Sequence, residues 1–251
     1  MTADQEQMTR NASRRRHDSH ALRTSLRWFG RAAAALLLGS VLLVAALRWI
    51  DPPTTAFIVQ HNWSVRASGE GVPARQTWVR LEAISPHMAL AVMAAEDQRF
   101  PDHRGFDFES IGEALAEYRR GGRVRGASTI SQQVGKNLFL WGGRSLLRKG
   151  VEAGVTVLLE ALWPKERILE VYLNIARFGP DVYGAEAASQ HYFGKSASSL
   201  SAAEAALLAA VLPNPVRFRV DTPSDHVRNR QQWILRQMRQ LGGPAYLESL
   251  R

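Results

Sequence analysis

Glu96 closes the run Ala89-Leu-Ala-Val-Met-Ala-Ala95, seven residues without a polar side chain, and opens the cluster Glu96-Asp-Gln-Arg-Phe-Pro-Asp-His-Arg-Gly-Phe-Asp107. A carboxylate at the end of an apolar helix is partly stripped of water. Desolvation disfavours its charged form and raises its basicity, which suits a group that takes up a proton. Asp97, His103 and Asp107 gather around it, an arrangement costly enough to mark a candidate site. The same cluster also suits a helix C-terminus followed by a turn with solvated acids, and spacing alone does not separate the two.

Two further stretches carry polar side chains at useful intervals. Gly126-Ala-Ser-Thr-Ile-Ser-Gln-Gln-Val-Gly-Lys-Asn137 packs Ser128, Thr129, Ser131, Gln132, Gln133, Lys136 and Asn137 into ten positions. Gln132 with Lys136 and Gln133 with Asn137 are i,i+4 pairs, so a helix here would present a donor-rich surface of the kind a sugar or phosphate ligand requires. It lacks the spacing of a phosphate-binding P-loop. Arg144-Ser-Leu-Leu-Arg148-Lys149-Gly-Val-Glu152 places Arg148, Lys149 and Glu152 on one helical face, a second carboxylate among cations. A polar exposed helix and an ordinary surface ion-pair cluster account for the same residues equally. Only four lysines occur among 32 basic residues, and Lys136 and Lys149 are two of them. Lys165–Asn174 and Gly184–Phe193 read as core and support. No His/Cys cluster has metal-ligand spacing.

These stretches need a frame to bring them together. Ser85-Pro86 caps and starts a helix that ends at Glu96. Further helices are expected over Phe108–Arg119, Ser131–Leu138 and Ser145–Leu162. The last carries an apolar stripe of Val151, Val155, Leu158, Leu159 and Leu162. More follow from Pro164 to about Asn174, from the capping box Ser201-Ala-Ala-Glu204 to Pro213, and over Val227–Leu241. Phe57–Leu81 reads as irregular or β-like, from the alternation in Trp63-Ser-Val-Arg and Thr77-Trp-Val-Arg-Leu81.

The 251 residues hold no cysteine, which excludes disulfides and thiolate metal sites. Residues 1–31 contribute +4 of the formal net charge of +9. Sixteen uncharged residues, Ala32 to Leu47, follow at once, flanked by Trp28, Phe29, Trp49 and Ile50. Sixteen is slightly short of the ~20 that span a bilayer, and flanking arginines that snorkel extend it. This reads as an uncleaved anchor over 32–50, behind a basic cytoplasmic tail over 1–31 and ahead of one mostly helical domain over 51–251 on the outer side. Because so much of the positive charge lies beside the span, it does not point to nucleic acid.

The ordered series Glu-Asp-x-x-Phe-x-x-His-x-Gly-x-Asp, Gly-Ala-Ser-Thr-Ile-Ser-Gln-Gln, Arg-Lys-x-x-Glu and Ile-Leu-Glu-x-Tyr-Leu-Asn resembles the peptidoglycan glycosyltransferases of the penicillin-binding-protein type, in a monofunctional form without a transpeptidase domain. The likeness spans roughly residues 57–245. It implies a mainly α, lysozyme-like domain with a large lobe and a small membrane-facing lobe, preceded by one transmembrane helix. It implies polymerisation of lipid II into glycan strands at the outer face of the bacterial inner membrane. Its partners are then lipid II, the growing strand, the membrane and other cell-wall synthesis proteins. By the resemblance, Glu96 matches the general base and Glu152 the second acid, which positions or assists the leaving group. Lys136 and Arg144 match cations that bind the pyrophosphate. Ser128, Gln132, Gln133, Asn137, Arg148 and Lys149 match other residues of the cleft. The resemblance leaves room for a divalent magnesium or manganese ion at that pyrophosphate, for which no protein ligand set is visible. Two other classes suit parts of the pattern: a glycan hydrolase, which would not need the cation-rich motifs, and a non-catalytic scaffold, which would not need Glu96.

Overall fold

The computed structural model describes residues 27–121, 128–143 and 145–250. It divides into two units. In the first, helix α1 runs over Arg27–Ala46, 20 residues with a mean hydropathy of 1.9, almost wholly exposed. It is long and apolar enough to cross a membrane. It begins five residues before the expected 32–50 segment and ends four before its close. Residues 47–50 belong to the second unit, where Arg167 takes up the carbonyls of Leu47 (3.0 Å) and Ile50 (3.0 Å) and Arg48 Nη1 donates to the Leu162 carbonyl (2.9 Å).

The second unit is helical, with one two-stranded sheet among its described residues. Helix α2 covers Ala56–Ser68, which corrects the expectation of irregular or β-like chain from Phe57. Thr55 caps it by accepting from Ile58 N, and Gly69, at φ 70°, closes it. A four-residue alternation such as Trp63–Arg66 is too short to choose a period, whereas the capping residues at both ends do choose. Beyond it the chain is extended, and β1 (Arg75–Gln76) pairs in parallel with β2 (Val182–Tyr183), Arg75 opposite Val182.

Helix α3 (Pro86–Glu96) forms the centre, with every residue from Met88 to Ala94 buried. It can be apolar all round because α9 (Ala202–Val211) and α10 (Asp225–Gln240) both pack on it. Helix α4 (Phe108–Arg119) starts at the cap Asp107 and has no buried residue. Helix α5 (Ile130–Phe139) lies between α6 (Leu146–Leu162) and α7 (Lys165–Ile175). Helix α8 (Ala185–Phe193) follows β2. Asn174, at the end of α7, is fully buried. Its amide bonds both backbone groups of Val79 (2.9 and 2.8 Å), fixing the extended arm.

Helix α6 departs from the expected apolar stripe. Its buried residues are Arg148, Glu152, Thr156 and Leu159. Of the anticipated stripe only Leu159 is fully buried, and Val151 is exposed, as are Leu146, Leu147 and Val157. The inward face is polar because Arg148 and Glu152 neutralise each other there, and Gly135 lets α5 approach within contact of Val155 and Leu159.

Candidate active site

Glu96 is the last residue of α3, and its side chain is only 16 % exposed. Its Oε2 accepts from Gln133 Nε2 of α5 at 3.0 Å, and its Oε1 lies 3.4 Å from Arg230 Nη2 of α10. Burial raises its pKa above the ordinary value of 4.5. The Gln133 hydrogen bond and the charges of Arg230 and Lys136 oppose that rise, and neighbouring Asp97 adds to it. The carboxylate is therefore a better proton acceptor than a solvated glutamate while keeping partners that favour its ionised form. Gln133 is oriented in turn, because its Oε1 accepts from the buried Tyr172 hydroxyl at 3.3 Å. Burial raises the Tyr172 pKa strongly, with Glu96 and Asp97 contributing, so this phenol stays a donor.

The other polar groups of the first cluster build the frame. Asp97 is buried, bonding His103 Nε2 at 2.9 Å and accepting the N–H of Ile130, the first residue of α5, at 2.9 Å. His103 Nδ1 accepts from Gly105 N (3.1 Å), so the proton on Nε2 is the one directed at Asp97. The Gly105 carbonyl accepts from Thr129 Oγ1 at 2.7 Å. Together these bonds tie the loop after Glu96 to the start of α5 and set where Gln133 and Lys136 stand.

Lys136, one turn beyond Gln132, feels the charge of both acids. Burial lowers its pKa. Glu152 opposes that most strongly and Glu96 adds to the opposition, while the charges of Arg148 and Lys149 lower it further. Its ammonium lies 5.8 Å from the Phe57 ring centroid of α2. Glu152 is 3 % exposed and receives Arg148 Nη1 at 2.8 Å, as well as Lys149 Nζ. Arg148 Nε is buried with no hydrogen-bond partner among the described residues. Three cations and one carboxylate thus leave a positive excess beside Lys136, suited to an anion with several oxygens. Among the described residues, no group of three or more His, Cys, Asp or Glu is placed to hold a metal ion.

Two cavities lie on this side of the fold, one lined by Glu96 and the other by its hydrogen-bond partner Gln133. One, of 480 Å³, is lined by Glu96, Arg99, Glu113, Ser128 and Trp233 among others. The other, of 260 Å³, has Gln133, Lys136, Asn137 and Arg177 on its polar side and Leu212 and Val216 on its apolar side.

Of the residues singled out from the sequence, Glu96, Ser128, Gln133, Lys136 and Asn137 line these cavities, and Arg148, Lys149 and Glu152 form the adjoining ion cluster on α6. Gln132 does not line either cavity. It is buried, and its Oε1 accepts from Thr129 N at 3.0 Å to complete a capping box. Ser131 likewise turns away, to Glu160. Arg144 lies outside the described residues. Arg230, Tyr172 and Trp233 were not foreseen as site residues. No spacing rule links them to Glu96, and Arg230 is 134 residues away.

A desolvated carboxylate beside a cation-rich cleft, on a helical frame, suits group transfer to or from an anion-bearing substrate. The Transglycosylase family model matches residues 64–239. The chain is 55 % identical over 234 residues to a biosynthetic peptidoglycan transglycosylase of Pectobacterium carotovorum subsp. carotovorum (strain PC1), covering 89 % of this chain and 94 % of that protein. It is 56 % identical over 227 residues to a protein of the same name from Citrobacter koseri (86 % and 94 %), and 51 % over 229 residues to one from Pseudomonas putida (strain W619; 91 % and 97 %). The chain belongs to the transglycosylase family, and its domain is of the lysozyme-like, mainly α kind.

Proposed function

We propose that this protein is a peptidoglycan glycosyltransferase that polymerises lipid II into linear glycan strands, anchored by α1 with its catalytic domain on the outer face of the inner membrane. Glu96 takes the proton of the acceptor N-acetylglucosamine 4-hydroxyl. The freed oxygen pair attacks C1 of the donor N-acetylmuramic acid with inversion. The bond from C1 to the diphosphate oxygen breaks, and undecaprenyl pyrophosphate leaves with the electrons of that bond.

The observation that carries this reading is the separation of roles in the site. One carboxylate is desolvated and free of a close bidentate cation, as a base must be, whereas Glu152 is saturated by Arg148 and Lys149. Lys136, Arg148 and Lys149, with Arg144, are assigned to the diphosphate. A diphosphate already leaves readily, so positive charge where its own charge develops is the help it needs. The acceptor hydroxyl is the weak partner and needs the base. Glu152 orders the cations and positions the leaving group. Ser128, Gln133 and Asn137 line the cleft, and Gln132 contributes through the start of α5. If a magnesium or manganese ion takes part, the substrate diphosphate supplies its principal ligands. The arginine-rich stretch before α1 remains cytoplasmic under the positive-inside rule.

The test is polymerisation of labelled lipid II by purified protein. Glu96→Gln is expected to cut the rate by about 10²–10⁴-fold with an unchanged fold. Substantial polymer from that variant sinks the assignment, and release of soluble muropeptides from purified wall without polymer would reassign the site to cleavage.

A further inference from the structure

Helix α10 delivers Arg230 to the base. Its Nη2 lies 3.4 Å from Glu96 Oε1 and 3.3 Å from the Ala95 carbonyl oxygen, and its guanidinium carbon lies 5.9 Å from the Trp233 ring centroid. Its Nε is buried with no hydrogen-bond partner among the described residues. Gln133 holds the opposite oxygen of the same carboxylate. The two oxygens of Glu96 are therefore held from two different helices, one by a neutral amide and one by a cation.

We propose that Arg230 is a positioning residue of the transfer reaction: it fixes the orientation of the Glu96 carboxylate and keeps it ionised until an acceptor hydroxyl arrives. The inference rests on Glu96 being the base. Burial drives Glu96 towards the neutral acid, which cannot accept a proton, so the site needs an opposing charge. The groups that face or influence it are Asp97 from its own segment, Gln133 and Lys136 from α5, Tyr172 from α7 and Arg230 from α10. Asp97 works against ionisation, Gln133 is neutral, and Tyr172 reaches Glu96 through Gln133. Lys136 feels Glu152 more strongly than Glu96, and a diphosphate bound by the cations would engage its charge. Arg230 is then the cation among the described residues committed to Glu96 throughout. A guanidinium suits that task because it stays protonated at any pH at which the enzyme works. The contact is single and long. A short bidentate pair would hold the carboxylate more tightly and occupy the lone pairs that must receive the proton.

The experiment compares wild type, Arg230→Gln, Arg230→Lys and Glu96→Gln, each full length. Polymerisation rates are measured from pH 5 to 9, with KM for lipid II and a thermal melt for each. In Arg230→Gln the acid limb of kcat/KM should move to higher pH by about one unit, because an opposite charge near the carboxylate has been removed. Below both limbs kcat/KM should fall about tenfold for that one unit and the two profiles should converge above them, with KM within about twofold. Arg230→Lys should bring the limb back towards wild type. A raised KM with an unmoved limb would make Arg230 a substrate-binding group and overturn the proposal. An unchanged profile would do the same. Activity in Glu96→Gln defeats the underlying reading instead, so the two failures are distinct. If Arg230→Gln does not fold, Arg230→Met, which keeps an apolar stem beside Trp233, is compared with Arg230→Lys for the same difference in limb position.

Discussion

Gln132 tests whether a polar residue beside the cleft serves substrate or scaffold. It occupies the third position of α5, and its Oε1 accepts the N–H of the cap residue Thr129 (3.0 Å), while Thr129 Oγ1 accepts from Gln132 N (3.2 Å). Both residues are buried. Gln132→Ala removes half of a capping box, a loss of about 1 kcal/mol. It also leaves the Thr129 N–H buried without a partner, which costs about 1–3 kcal/mol in place of the net value of the bond. Both figures describe the same lost bond and do not add, so the destabilisation is about 1–3 kcal/mol. For a folded unit of this size that lowers Tm by about 2–12 °C. The assay is a thermal melt alongside steady-state polymerisation of lipid II. Gln132→Ala is expected to melt earlier and lose activity on warming, with KM near wild type at low temperature. Thr129→Val, which removes the other half of the box and the bond to the Gly105 carbonyl, should behave in the same way. A several-fold rise in KM for Gln132→Ala at an unchanged Tm refutes the reasoning and makes Gln132 a substrate contact.

The raised pKa of Glu96 also has a stability consequence. A carboxyl whose folded value lies above its ordinary 4.5 contributes stability that is full below 4.5 and is lost as pH rises through the folded value. Glu96→Gln should therefore melt at or above the wild-type temperature at pH 7–8, and its advantage should shrink towards pH 4; the pH dependence of the melt for the two proteins decides this. Glu152→Ala strands Arg148, whose side chain is 11 % exposed, without its counter-charge. A loss of about 3 kcal/mol in urea unfolding is expected, since removing one member of a buried pair leaves the other charge uncompensated. No loss would show the pair to be solvated.

The local elements were largely legible because their signals are local. Ser85-Pro86 starts α3, the box Ser201–Glu204 starts α9, and the breaks at Trp141-Gly-Gly143 and Pro164 bound α6. The region after Pro53 misled because its alternation is only a few residues long, whereas the Thr55 and Gly69 caps give one helix turn after turn of hydrogen bonds. The face of α6 misled for a different reason. Counting apolar residues assumes that they seek the interior, but here a neutralised Arg148–Glu152 pair takes the inward position and Val151, Val157, Leu146 and Leu147 face out.

What the sequence determined by itself was the chemistry available: a carboxylate at the end of an apolar helix, a donor-rich helix start, a cationic helix with its own acid, and an apolar segment close to the length of an anchor. Those properties depend on residue type and short-range spacing, which a chain carries before it folds. Only the tertiary structure decided which groups act on which. Helix packing brings Gln133 and Arg230, 37 and 134 residues from Glu96, to opposite oxygens of its carboxylate. It brings Lys136 under the charge of both acids, and it separates the polar residues that face the cleft from Gln132 and Ser131, which turn back to hold the frame. The physical reason is that a carboxylate's proton affinity is set by its burial and by charges within a few ångströms, and those distances exist only once distant helices have packed.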